Sequence, residues 1–189
     1  EIKLSAELDY KLSSRLDELK IERYGEPIET EVSISTRPNK AILVAGTSLK
    51  ELEDVLEYTK DKNIDVYTHG EMILAHTYPK FQEYTHLRGH FGVGVENCLL
   101  DFATFPGAIL VTKYAVENIE YLYRGRLFTT DCFVPKGAVK IENNNYSPLV
   151  ESAQNAKGFK RGKQKGSIKV GISKYKLESE LTTLFDNLK

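Results

Sequence analysis

The stretch AILVAGTSLKELEDVLEYTKDKNIDVYT, residues 41–68, decides the fold expected of this chain. Its two ends, AILVA and IDVYT, are short apolar runs of the kind that form buried strands. The segment between them, LKELEDVLEYTKD, repeats apolar residues at three- and four-residue steps and predicts an amphipathic helix. Because a strand, a helix and a second strand in succession join parallel strands, the stretch predicts a parallel sheet.

The same alternation continues after residue 68. Helices are predicted at 96–103 and 116–123 and strands at 108–112 and 126–130, and the pattern goes on through 138–141, 147–154, 168–172 and 176–188. Strands that are apolar along their whole length are usually covered on both faces. The chain is therefore predicted to be an α/β protein, with a mainly parallel sheet of about five strands and helices on both faces.

A separate helix is predicted before the sheet. Its apolar stripe repeats at three- and four-residue steps and consists of Leu4, Leu8, Leu12, Leu16 and Leu19, so this face must pack on something. Residues 24–40 contain two prolines and little helical periodicity, which indicates a linker with a short strand. We therefore divide the chain into an N-terminal helix and linker, residues 1–40, and an α/β domain, residues 41–189.

Composition excludes several classes of function. Lys and Arg number 26 against 27 Asp and Glu, so no overall charge favours nucleic acid or an anionic membrane. The longest apolar runs fall far short of the roughly 20 residues that span a bilayer, and the two isolated cysteines fit a reducing, cytoplasmic compartment. Cys98 and Cys132 cannot hold an iron–sulfur cluster by themselves, because a cluster normally takes four thiolates. The start at Glu1 rather than methionine is expected of an excised segment.

Three turns are predicted to meet at one edge of the sheet. They are Gly46-Thr47-Ser48 after the first strand, His69-Gly70-Glu71 after the second, and residues 113–115 after the strand at 108–112. In open parallel sheets ligands bind beyond the carboxyl ends of the strands. These turns form the candidate site.

Each turn also has a purely structural interpretation. Ser48 and Glu51 match a capping box, although a helix start of this kind can also bind phosphate. His69, Glu71 and His76 match neither H-E-x-x-H nor the zinc deaminase motif, so a capping carboxylate and a hydrogen-bonded imidazole compete with a metal site.

Two further segments carry functional hypotheses. His86 and His90 flank LRGHFGVG, whose glycines suit tight turns, and we expect a lid or a domain contact there. Residues 157–169, KGFKRGKQKGSIK, contain six cations and one aromatic residue, Phe159. This segment is either a solvated connection or a nucleic-acid patch, and the lack of interleaved aromatic residues favours the former.

Taken together and in order, YGEPIETEVS, KAILVAG, LKELEDVLE, VYTHGEMILAH, FPGAILVT and RLFTT resemble the middle of the hybrid-cluster proteins, over residues 24–159. These proteins are also called prismane proteins or hydroxylamine reductases and are related to the nickel carbon monoxide dehydrogenases. The resemblance implies that this chain is the first of two Rossmann-like α/β domains that follow a helical domain. It further implies an iron–sulfur–oxygen hybrid cluster where the domains meet.

The resemblance also assigns cluster ligands to the three turns. In the family they are a histidine after the first strand's glycine, the glutamate of THGE, and a cysteine after the strand that follows FPG. Here the glutamate is Glu71, but Thr47 stands at the histidine position and Ala115 at the cysteine position. Glu71 is thus the one retained ligand, a weak metal site alone, and we expect no cofactor in this chain by itself. Neither Cys98 nor Cys132 is expected to substitute.

Two functions remain open on this basis. The first is a diverged or excised α/β domain of a hydroxylamine reductase-like oxidoreductase, inactive alone and partnered by the second α/β domain and helical domain of its parent, or by a homologous subunit. The family reduces hydroxylamine or nitric oxide with electrons delivered through a second cluster. The alternative is a non-enzymatic Rossmann-like module that binds a small anion at Gly46-Thr47-Ser48.

Overall fold

A central parallel sheet and the helices around it make up most of the computed structural model, which describes residues 2–92, 97–113, 122–171 and 181–184. The helices are α1 (Ile2–Tyr24), α2 (Leu49–Thr59), α3 (Pro79–Gln82), α4 (Cys98–Thr104) and α5 (Ser147–Asn155), with a 3₁₀ helix at Gly70–Thr77. The strands are β1 (Thr30–Ser33), β2 (Lys40–Gly46), β3 (Ile64–His69), β4 (Leu87–His90), β5 (Ala108–Thr112), β6 (Leu127–Thr129), β7 (Val139–Lys140) and β8 (Ser167–Val170).

Six of these strands form the central sheet, in the order β4-β3-β2-β5-β6-β7, and every neighbouring pair is parallel. The chain moves outward on one side from β2 to β4 and then returns to build the other side from β5 to β7. The order therefore reverses between β2 and β5, which is where open α/β sheets place their ligands. The predicted parallel α/β sheet is confirmed, with six strands.

Side chains of β2 alternate between two apolar cores. Ile42 and Val44 pack with α2 and α5 on one face, and Leu43 packs with α4 residues such as Phe102 on the other. All of them are fully buried, because helices cover both faces of the sheet. This explains why residues 41–45 form an unbroken apolar run instead of an alternating one.

Helix α1 is present as predicted, but its leucine stripe is exposed. The leucines from Leu4 to Leu19 retain 44–71% of their accessible surface. Among the described residues, the C-terminal end of the helix is the part that is anchored: Arg23 bonds Glu53 of α2 at 2.6 Å, and Tyr24 stacks on Phe81 of α3 at 5.0 Å. The surface that the stripe was predicted to contact is not among the described residues.

The strand expected at 168–172 as part of the parallel alternation is placed wrongly. It forms as β8 but pairs antiparallel with β1 in a separate two-stranded sheet, with Thr30 opposite Val170. The physical reason is burial: Ser167, Ile168 and Lys169 are exposed, whereas a central parallel strand must be apolar on both faces. The short strand expected in the linker is confirmed as β1.

Two predicted helices fall largely outside the described residues. For the helix at 116–123 only residues 122 and 123 are described, as a turn, and for the helix at 176–188 only residues 181–184, which are helical. In the part of the chain that the structure describes, none of the helices combines the length and apolar character needed to cross a membrane.

Candidate functional site

The carboxyl ends of β2 and β3 bring two of the three predicted site residues to one cleft. Ala45 pairs with His69 in the sheet, so the turns that follow the two strands emerge side by side. Thr47 and Glu71 both line the cleft between these turns, together with Gly46, Cys98 and Phe102. The third position, Ala115, lies outside the described residues, and its place relative to this cleft remains a prediction.

Gly46 makes the reversal point of the sheet possible. Its φ is +113°, and a β-carbon added there would lie 1.7 Å from the carbonyl oxygen of Thr112. Only a residue without a side chain permits β2 and β5 to approach this closely as they end. The Thr112 hydroxyl then bonds the carbonyl of Ala45 at 3.2 Å and fixes the two strand ends together.

The predicted capping box at the start of α2 does not form. Ser48 has an extended N-cap backbone, but its hydroxyl makes no capping bond. Its N–H, which Glu51 would accept in such a box, donates instead to the Thr112 hydroxyl at 3.4 Å. One carboxylate oxygen of Glu51 is consequently buried without a hydrogen-bond partner. A long-range contact has replaced the local one.

Glu71 stands at the start of the 3₁₀ helix and is exposed, with Met72 beside it buried in the core. Gly70 turns the chain out of β3 with a φ of +60°. The turn therefore presents the carboxylate to the cleft while its neighbour anchors it. A carboxylate in this position is available to a ligand or metal that approaches from outside this chain.

His69, just before the turn, is buried and held by α4. Its Nε2 lies 3.0 Å from Asp101 Oδ2, and its ring packs edge-on against Phe102 at 5.1 Å. Gly92 packs directly against this pair: a β-carbon there would lie 2.4 Å from Asp101 Oδ2 and 2.7 Å from the imidazole of His69, so the position has no room for a side chain. The pair fixes the end of β3, and with it the origin of the turn that carries Glu71.

The hydroxyl of Thr68 joins two other histidines in a buried network. It lies 3.0 Å from His76 Nε2 and 3.1 Å from His90 Nδ1. Burial is the main cause that lowers the pKa of each imidazole to about 4, and in His90 the neighbouring His69 and His76 contribute to the same shift. Both rings are therefore neutral at pH 7 and serve as hydrogen-bonding groups of the core.

The structure also bears on the two hypotheses about histidine pairs, His69 with His76 and His86 with His90. His69 and His76 both make side-chain hydrogen bonds, which is the interpretation that competed with a metal site. His86 and His90 belong to the body of the domain: His86 Nε2 lies 3.1 Å from the carbonyl of Leu56 and His90 is buried. The reason is that β4 is a strand of the sheet, so its two ends are held by β3 and α2. Residues 93 and 94 of LRGHFGVG lie outside the described residues, so a lid or domain contact of that segment stays a prediction.

Cys98 is the site residue that sequence reasoning set aside. It begins α4 and lines the cleft with Thr47 and Glu71. Burial raises the pKa of its thiol, so the thiolate form is disfavoured. Its local pattern is that of a core cysteine, and only the path of α4 across the sheet edge brings it here. Cys132 is exposed, after β6.

The donor set of this cleft is small. Among the described residues it comprises the Glu71 carboxylate, the Thr47 hydroxyl, the Cys98 thiol and the imidazole of His69, whose Nε2 is already engaged with Asp101. Within the described ranges, no three His, Cys, Asp or Glu side chains converge in a way that could hold a metal ion. The described donors therefore do not fit a complete cluster site, which needs several deprotonated ligands converging on one point.

Comparison with known proteins agrees with the motifs. A family model described as Prismane/CO dehydrogenase family matches residues 3–187. Proteins named hydroxylamine reductase are similar to this chain: the one from Solidesulfovibrio magneticus is 37% identical over 97% of the chain and 34% of its own length. The one from Rhodospirillum rubrum is 42% identical over 76% of the chain and 26% of its own length. The chain spans about a third of the length of the curated relatives it matches.

Proposed function

This chain belongs to the Prismane/CO dehydrogenase family, and we propose that it is an α/β domain of a hydroxylamine reductase-like oxidoreductase that forms one wall of a cluster pocket. One observation carries the proposal: Thr47 and Glu71, two positions that the family resemblance assigns to cluster ligands, line the same cleft. They come from different strands, and the cleft lies beside the reversal point of the sheet.

The proposed role of the domain is to shape the pocket more than to hold the cluster. Of the three family ligand positions, Glu71 is retained, while Thr47 offers a weak hydroxyl and Ala115 offers no donor. Cys98 adds a thiol to the cleft, but its raised pKa disfavours the thiolate that binds metal. An iron–sulfur–oxygen cluster would supply the redox chemistry of the intact protein, and most of its ligands would come from elsewhere.

This domain's own contribution is the placement of one carboxylate. The His69–Asp101 hydrogen bond fixes the end of β3, and the buried Met72 fixes the first turn of the 3₁₀ helix. Glu71 lies between these two anchors and faces the cleft. Such preorganisation matters because ligands held on rigid elements bind with less loss of conformational entropy.

The partners in this proposal are the remaining domains of a longer protein, or a homologous subunit. The relatives are about three times as long as this chain, and the leucine stripe of α1 is exposed, as a helix prepared to pack against further helices would be. A second α/β domain bearing cysteines would close the cleft, and a helical domain would cover the stripe.

The test is the iron content of the purified chain after anaerobic reconstitution with iron and sulfide. We expect less than stoichiometric iron, no broad visible absorption and no reduction of hydroxylamine. The matched sample is the same chain mixed with a cysteine-bearing second α/β domain from a family member. The proposal fails if the unmodified chain binds stoichiometric iron with an absorption that Glu71→Gln abolishes, because the domain would then hold the cluster by itself.

A further inference from the structure

The basic segment near the C-terminus is held in place by backbone hydrogen bonds along residues 34–39. We call residues 158–167 the basic strap. Lys163 and Thr36 exchange N–H to carbonyl bonds at 3.1 and 3.0 Å, and the Phe159 N–H donates to the carbonyl of Asn39 at 2.9 Å. Ile34 donates to the carbonyl of Gly166 at 3.0 Å. The strap is therefore a fixed element rather than a freely solvated connection.

Two glycines allow the strap to lie this close. A β-carbon on Gly158 would lie 2.5 Å from the carbonyl oxygen of Asn39, and one on Gly162 would lie 2.8 Å from that of Thr36. Contacts under about 3 Å are not tolerated by real side chains. The glycines thus set the distance of the strap from the domain, and with it the width of the space beneath.

That space is a cavity of about 490 Å³, within the usual range for small-molecule sites. Four cations of the strap line it: Lys160, Arg161, Lys163 and Lys165. None of the four forms a salt bridge to any residue that the structure describes. Four positive charges around one cavity, with no salt-bridge partner in the described part of the chain, attract an anion.

The cavity also has an aromatic wall. Phe91, which follows β4, and Phe159 of the strap both line it, with ring centroids 5.8 Å apart. Phe105 packs edge-on against both rings, at 5.1 and 5.5 Å, and holds them in position. Rings fixed in this way provide a surface on which a planar ligand can stack.

The acidic and hydroxyl groups that line the cavity are compatible with binding of an anion. Asp101 is the one carboxylate among the described residues that line the cavity, and its Oδ2 is bonded to His69. Thr36 and Thr104 add hydroxyl groups. The His69–Asp101 pair therefore lies between this cavity and the cleft that contains Thr47 and Glu71.

We propose that the cavity under the basic strap binds a small phosphate ester that carries an aromatic ring, of the class of nucleoside monophosphates. The cations of the strap would bind the phosphate, and Phe91 and Phe159 would stack on the ring. A polymeric nucleic acid fits less well, because the aromatic surface consists of two rings in one cavity and not of a row along a groove.

The experiment is calorimetric titration of the full chain with adenosine monophosphate, and in separate runs with adenosine and with inorganic phosphate. We expect the monophosphate to bind at least about tenfold more tightly than either part, because stacking on a ring and contacts to the phosphate each contribute to affinity. Its affinity should fall as ionic strength rises.

Variants of the strap complete the test. Replacement of both Lys163 and Lys165 by Ala should weaken binding of the monophosphate about tenfold, and Phe159→Leu should do so without affecting phosphate alone. Lys169→Ala is the matched control, since Lys169 follows the strap, does not line the cavity and lies 3.8 Å from Glu29. Thermal unfolding checks that each variant is folded. If Phe159→Leu does not fold, the replacement of Lys163 and Lys165 still tests the proposal, because both lysines are exposed.

Three results would overturn the proposal. They are failure of the monophosphate to bind, equal affinity for the monophosphate and inorganic phosphate, and equal weakening by Lys169→Ala and by the lysine pair of the strap. The second result would show that charge alone acts and that the aromatic wall has no part.

Discussion

His69 Nε2 lies 3.0 Å from Asp101 Oδ2, across 32 residues of sequence, and this contact ties the end of β3 to α4. The turn that bears Glu71 begins one residue later, and the cleft with Thr47 lies on the same side. The placement of the candidate site therefore depends on a buried imidazole–carboxylate pair.

Loss of this pair should destabilise the domain. We expect Asp101→Asn to lower the free energy of unfolding by about 1–3 kcal/mol, because a buried hydrogen bond to a charged group is weakened. Urea denaturation measures the change. Asp61→Asn, at an exposed turn, is the control and should change stability by less than about 0.5 kcal/mol. Equal effects of the two changes would contradict the assigned role.

The Thr68 network should make stability depend on pH. His76 and His90 have a pKa of about 4 in the folded chain, against 6.5 when unfolded. The unfolded state therefore binds more protons between these values, so stability is full above pH 6.5 and falls as the pH drops towards 4. Each histidine should contribute about 3 kcal/mol to this fall.

Denaturation at a series of pH values measures that slope. His76→Gln should lower stability at pH 7, since Thr68 loses one of its hydrogen-bond partners, but should also flatten the slope between pH 6.5 and 4. A slope unchanged by both His76→Gln and His90→Gln would show that other groups cause the acid sensitivity.

Gly46 should tolerate no side chain. Gly46→Ala places a β-carbon 1.7 Å from the carbonyl oxygen of Thr112, so β2 and β5 must separate at the reversal point of the sheet. We expect a loss of about 4 kcal/mol or more, or no folded protein. Gly125→Ala is the control: it also has positive φ but meets nothing within 4 Å, and should cost about 1 kcal/mol. Circular dichroism during thermal unfolding separates these outcomes.

Restoring the family ligands should change metal binding. The double change Thr47→His and Ala115→Cys gives this domain the three ligand types of the family, so we expect higher affinity for iron with no gain of hydroxylamine reduction. Thr47→Asn with Ala115→Ser is the matched control of similar size. The proposed positions are wrong if the two double variants bind equal amounts of iron by elemental analysis.

The leucines of α1 should not contribute to the stability of the chain alone. Leu8 and Leu12 are 58% and 57% exposed, so replacing both with Ser should change the free energy of unfolding by less than about 1 kcal/mol. Leu52→Ala, at a fully buried position of α2, should cost about 2–5 kcal/mol. A large loss from the α1 pair would mean that the stripe packs within this chain.

Sequence by itself determined the elements and the edge at which the site lies. Residues 41–45 are apolar throughout and residues 64–68 are buried throughout, because both faces of β2 and β3 are covered, and the apolar run of β2 is readable locally. In α2 the buried residues Leu52, Val55, Leu56 and Thr59 recur at three- and four-residue steps, because one face of the helix is buried. Since parallel strands end at the same edge, the neighbouring positions of Thr47 and Glu71 could be inferred before any coordinates.

Tertiary structure alone decided the contacts between residues far apart in the chain. Thr112 takes the Ser48 N–H from Glu51 across 64 residues, and α4 brings Cys98 and Asp101 to the cleft. Strand β8 leaves the parallel alternation to pair with β1. Local periodicity specifies which face of an element is buried, but not which partner buries it, because that choice depends on the packing energy of the whole chain.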